Sequence, residues 1–244
     1  MLLERIRVLP GRRAAMRVWD IHPGYLNRES LLGEHREVHA LFSIVSRGKR
    51  GYAHHPETLR WKDHLGALRT RHETLVAEMT LRGYRHLSPL PRGGETIWPP
   101  GYIDAPGEQF SKLEIKYALR QQGRISLPRS VQQLWAQHKY SVLARNQKLY
   151  REIGKNLSEP HSEALFAEIS TRLVDVLRES PSPGGVVNAL QHMWGYVSRL
   201  EDSRDSVYDD PETLLNEIQV RALHHGVVYL IESTAISDLA PWVT

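Results

Sequence analysis

Apolar positions recur along this chain at three- and four-residue spacing in block after block, the period of helices buried on one face. Between residues 30 and 45, Leu31, Val38, Leu41, Phe42 and Val45 share a face. Ser30 stands where an N-cap belongs, because its hydroxyl can accept a bond from a free first-turn amide. At about 100° per residue, Glu34 falls within the apolar face, Glu37 on its flank, and Arg36 points away. A carboxylate on such a flank is half desolvated, which raises its pKa toward the range useful for proton transfer. Pro56 opens a second predicted helix, with Trp61, Leu65, Leu68, Leu75, Val76 and Met79 in register and Gly83 as its stop.

The rest of the pattern is also helical. An irregular, aromatic stretch over 88–107 is expected to wrap over the front of the chain. A short helix follows over 108–121, and Pro128 introduces a long one over 129–154. Further helices are expected over 161–179, after the turn SPSPGG, and from Pro211 onward, with HHGVVYLIESTAI closing the chain. The pattern gives a mainly α protein of two helical domains, a compact front domain over 16–124 and a helical bundle over 125–244. Residues 1–15 precede them as an extension. Met16 begins MRVWDIHPGYLNRES, which reads as a fresh start and marks Met16 as a candidate initiator.

Composition narrows the chemistry. The chain has no cysteine, which removes disulfides, thiolate metal sites and cysteine nucleophiles. No apolar run is long enough to span a bilayer, so no membrane partner is expected, and the expected location is cytoplasmic. Residues 1–90 hold 16 Lys and Arg against 9 Asp and Glu, while the remainder holds 16 against 19. A basic front half suggests a polyanionic partner. Lys49 and Arg50, set between glycines in SRGKRGY, suit close approach to a phosphate backbone. His35 and His39 are four apart and can face one metal. A zinc-protease motif requires Glu directly after the first His, where Arg36 stands, so no metal is expected.

The ordered series MRV, LLGEHREVHALF, GKRGY and LGALRTRHETLVAEMTLRGY resembles the pyrimidine-dimer DNA glycosylase family over about residues 16–115. The resemblance implies a compact helical enzyme that acts on lesion-bearing double-stranded DNA without a cofactor. It implies an N-terminal amine that attacks C1′ of the damaged nucleotide, an imine intermediate, and β-elimination that nicks the strand. Residue by residue, Glu37 matches the catalytic glutamate, Arg36 a DNA-contacting arginine, and Arg17 a basic residue near the start. The nucleophile would be the amine of Met16, retained because the following Arg17 is bulky. Lys49, Arg50 and His39 complete the expected DNA contacts. An α-amine titrates near pH 8 and is substantially neutral in the cell, which suits this role.

The second half resembles the DUF1722 family through WAQHKYSVLARNQKLYREIG, NALQHMWGY and YLIESTAISDLAPW. That resemblance implies a fold region and no reaction. Its motifs carry His138, Lys139, Tyr140, His192 and Tyr196 as polar residues. The competing reading of the whole chain is a non-catalytic nucleic-acid-binding module that recruits a protein partner through its helical second half.

Overall fold

A computed structural model describes residues 16–156, 162–200 and 210–243. The extension over 1–15 lies outside the described residues. Eleven α-helices and no strand occur among the described residues: α1 Arg28–Ser46, α2 Pro56–Trp61, α3 Leu65–Leu81, α4 Pro106–Tyr117, α5 Val131–Arg145, α6 Gln147–Asn156, α7 Glu163–Leu177, α8 Pro183–Trp194, α9 Pro211–His224, α10 Val228–Ile231 and α11 Ala235–Asp238. The mainly α class read from the periodicity is what the structure has.

Three boundaries differ from the sequence reading, each for a local reason. α1 begins earlier than Ser30, because Asn27 is the N-cap and its side-chain oxygen accepts from the Ser30 amide at 2.9 Å. The helix read as continuous from Pro56 breaks after Trp61. Exposed Lys62 and Asp63 carry a turn there, which lets both Trp61 and Leu65 face the core. The long helix read from 129 breaks at Asn146, whose φ of −145° and ψ of 90° are extended. The Asn146 side chain accepts from the Leu149 amide at 2.9 Å and so restarts the chain as α6. Gly83 is the stop that the sequence indicates. It sits at φ +78°, and the Tyr84 amide closes back on Met79 O at 2.9 Å.

α1 packs on α3 at the front, and α5 sits centrally against α6, α7 and α8. The α5–α8 crossing depends on Gly185, where a Cβ would lie 2.1 Å from Ala144 O. The first apolar cluster contains Leu31, Val38, Leu68 and Leu75 from the front, and equally Ile125, Leu134, Leu173 and Val176. Residues on both sides of the division expected between 124 and 125 thus contribute to this cluster. The irregular stretch also reaches beyond the front helices, since the Trp98 indole donates to Arg178 O at 3.0 Å.

The polar joint between the halves is Glu78 on α3, which is fully buried. Arg124 donates to it through Nη2 at 2.6 Å, Arg82 through Nε at 2.6 Å, and the Ser237 hydroxyl at 2.7 Å. Arg124 also donates to Ser233 O at 3.1 Å, which ties α3 to the end of the chain. Burial alone would raise the Glu78 carboxyl, but the Arg124 and Arg82 guanidiniums outweigh it and hold the group at about 2. The unfolded value is about 4.3. The stabilisation is therefore fully present above that value and is lost as pH falls through the folded pKa. Glu78→Gln should cost about 3–5 kcal/mol by urea denaturation at neutral pH, because two guanidiniums lose their buried countercharge. The variant should also show a shallower loss of stability between about pH 4 and 2 than the parent chain.

Candidate active site and a histidine cluster

Residues 17–21 are irregular, bend at Asp20 and Ile21, and have no strand beside them, so their amides need side-chain acceptors. The Arg17 amide donates to Glu37 Oε2 at 2.7 Å, Val18 to Glu57 Oε1 at 3.1 Å, and Trp19 to Glu34 Oε1 at 3.2 Å. The Asp20 amide donates to Gln109 Oε1 at 2.8 Å. Acceptors from α1, α2 and α4 thus converge on one short segment. Arg71 on α3 locks the arrangement. It donates to both oxygens of Glu34, at 2.7 and 2.9 Å, and to Ile21 O at 2.9 Å. Burial pushes the Glu34 carboxyl up to about 7 against the pull of Arg71.

Glu37 lies on the flank of α1, as its position in the pattern indicates, and is half-buried. Burial raises its pKa, and the Arg17 amide and the Lys116 charge pull it partly back. Met16 is the residue immediately before this contact, with its sulfur 3.9 Å from Thr58 Oγ1. Lys116 on α4 also belongs here. Its Nζ donates to Ser30 Oγ at 2.8 Å, and burial lowers its pKa while Glu37 raises it.

The basic residues singled out in the sequence do not share one environment. Arg36 is exposed, and its Nε donates to Leu32 O of its own helix at 3.0 Å. Lys49 and Arg50 occupy the exposed turn after α1, about 14 Å along the axis from Glu37 at 1.5 Å per residue. Arg17 is engaged within the protein: its guanidinium pairs with Asp104 and lies 4.1 Å from the Trp19 ring centroid. His39 is drawn away toward α3 and the following loop.

There it joins His35, His72 and His86, whose ligand-capable nitrogens and its own all lie within 4.8 Å of one another. His72 Nε2 is 3.2 Å from His39 Nε2, and Ser88 Oγ is 3.3 Å from the Nε2 of both His39 and His86. Burial, then the neighbouring imidazoles, lowers the His35 pKa to about 4, and the same causes lower His39 and His86. The sequence sets a metal aside on the spacing of two histidines within one helix. The fold corrects that premise, because the further histidines come from α3 and from the loop beyond it. Neither could be found by spacing along α1. Lys116, Glu57 and Gln109 are invisible to sequence spacing for the same reason.

In the second half the motif residues Lys139, Tyr140, His192 and Tyr196 also come together. Lys139 Nζ lies 4.7 Å from the Tyr140 ring centroid and 4.8 Å from that of Tyr229. Tyr196 packs on Tyr229 at 5.0 Å, and His192 stacks on Tyr140 at 6.5 Å. His138 stands apart as a core residue, with Nδ1 2.8 Å from Leu134 O and burial lowering its pKa to about 4. No helix among the described residues is long and apolar enough to cross a membrane.

Comparison with known proteins gives two family matches. Residues 16–91 match the family described as pyrimidine dimer DNA glycosylase, and residues 139–208 match a protein family of unknown function, DUF1722. No curated protein and no solved structure matches the chain. The first match begins at Met16 and includes Glu37, Arg36 and the whole histidine cluster, whereas Lys116 lies beyond it. The chain is thus similar to the pyrimidine dimer DNA glycosylase family over its front segment and to DUF1722 over a segment behind it.

Proposed function

We propose that the front segment is a DNA glycosylase with lyase activity, acting on a damaged or abasic nucleotide of double-stranded DNA through an imine. The nucleophile is the amine of a chain opening at Met16, and Glu37 is its acid and base. The observation that carries this reading is the 2.7 Å bond from the Arg17 amide to Glu37 Oε2, which sets an amine on Met16 one residue from the carboxylate.

The amine attacks C1′, the bond to the base breaks, and the base leaves with a proton. Proton transfer from Glu37 to the sugar ring oxygen opens the ring and leaves the C1′ imine. Removal of a C2′ proton then expels the 3′ phosphate. A carboxyl raised by burial holds its proton closer to neutral pH, which suits the ring-opening step. As carboxylate, it stabilises the positive charge that develops at the sugar. Extrusion of the nucleotide costs a few kcal/mol, and least at a lesion.

A second source of amine is favoured by one observation. Lys116 is exposed, but its ammonium lies close enough to Glu37 to feel its charge, and partial desolvation lowers its pKa below the usual lysine value, which increases its neutral fraction. It serves as nucleophile in a chain whose Met16 amine is blocked by preceding residues.

Glu37→Gln should reduce single-turnover strand cleavage by about two to four orders of magnitude while duplex binding is retained. An unchanged rate would make Glu37 only an acceptor for the Arg17 amide. Binding without cleavage in the parent chain would favour the non-catalytic binding module. Arg36, Lys49 and Arg50, if they contact phosphate, each contribute about 0.9 to the slope of log K against log salt. Replacing all three with Ala should flatten that slope by roughly 2 to 3 in a fluorescence-anisotropy titration. An unchanged slope would remove them from the DNA surface.

A further inference from the structure

We infer that His35, His39, His72 and His86 form a binding site for a single zinc-class transition-metal ion, which braces α1 against α3 and the loop that follows it. The donors come from three places: His35 and His39 one turn apart on α1, His72 on α3, and His86 beyond the end of α3. The four nitrogens lie within 4.8 Å of one another. The closest pair, His39 Nε2 and His72 Nε2, is separated by 3.2 Å. Two imidazoles bound to one zinc at about 2.0–2.1 Å, in tetrahedral geometry, bring their nitrogens to about 3.3 Å. That pair has the spacing of two ligands on a shared ion, and the other two nitrogens lie close enough to close on the same ion with small side-chain shifts.

Two further observations point the same way. His35 is about nine-tenths buried, and its Nε2 has no hydrogen-bond partner. An orphaned buried nitrogen is costly, and an ion in the cluster would satisfy it. His72 is fully buried, with its Nδ1 3.1 Å from Glu73 Oε1. A carboxylate on the far nitrogen of a ligating histidine fixes the tautomer and turns Nε2 toward the metal. The donor set is all imidazole with no carboxylate in contact, which suits zinc, nickel or copper and disfavours magnesium or calcium.

The site is separate from the candidate active site. His35 and His39 are each two residues from Glu37, about 160° around the α1 axis. The ion would therefore hold α1 from behind, on the side away from residues 17–21, and would take no part in chemistry at Glu37.

The test is metal binding by the full chain after dialysis against a chelator. Zinc is titrated in competition with a chromophoric chelator, and cobalt is titrated while its visible absorption is followed. The expected result is one ion per chain, a dissociation constant below about 1 µM, and tetrahedral cobalt bands. Zinc should also raise the melting temperature. His86→Ala removes a partly exposed loop ligand and should weaken binding at least about tenfold, and Glu73→Gln should weaken it about tenfold through His72. A double change of His224 and His225 to Ala should leave affinity as it is. Failure to bind zinc below about 10 µM would overturn the assignment. So would stoichiometric binding that survives both His86→Ala and His39→Ala. None of these readouts depends on DNA cleavage, so the assignment stands or falls apart from the proposed enzymatic function.

Discussion

A largely buried, irregular segment without a neighbouring strand must find other acceptors for its amides, and residues 17–21 do so through side chains alone. Glu37, Glu57 and Glu34 each take one of these amides and Gln109 takes two, and each comes from a helix that also supplies the core. The constraint decides which carboxylates leave water. Glu57 is pushed up by burial, as Glu37 is, although the Val18 amide and the Trp61 indole bond to it. A site able to handle protons thus follows from a requirement of packing. Arg71 answers the deepest of these charges, and its third contact, on Ile21 O, binds the same segment from the other side.

The same logic joins the halves of the molecule. Glu78 accepts from residues as far along the chain as Arg124 and Ser237. Asp20 accepts from Arg178 at 2.7 Å and from the side chain of Gln109 at 2.9 Å. The segment matching DUF1722 therefore does not hang from the front segment by a linker, because apolar packing and buried ion pairs run through both. Motion of one half would have to break guanidinium–carboxylate pairs that are largely withdrawn from water, which is expensive.

Much of the helical architecture was legible because periodicity and caps are local signals. Gly83, Pro56 and Pro211 all mark termini in the structure. The flank position of Glu37 was legible for the same reason, since it depends only on the turn of one helix. Partners drawn from elsewhere were not legible. Lys116 reaches Ser30 across 86 positions, and His72 reaches His39 across 33. Nothing in the local pattern distinguishes these residues from an ordinary surface lysine or core histidine. The interruptions at 62–64 and at Asn146 leave no mark in the pattern, because apolar positions continue at helical spacing on both sides of each turn. Arg17 reads from the sequence as a basic residue placed for DNA, and the fold adds what the pattern does not carry, an ion pair with Asp104 and a stack on Trp19.

We propose that an amine beside Glu37 forms an imine with the sugar. This is tested most directly by borohydride trapping on a duplex bearing one abasic site. Borohydride reduces the imine to a stable covalent link whose attachment point can be read by mass spectrometry of the peptide. The account predicts a cross-link at the amine of Met16 in a chain that opens there, and at Lys116 where residues precede Met16. Absence of any cross-link under conditions of tight DNA binding, or a link to a residue remote from Glu37, would contradict it.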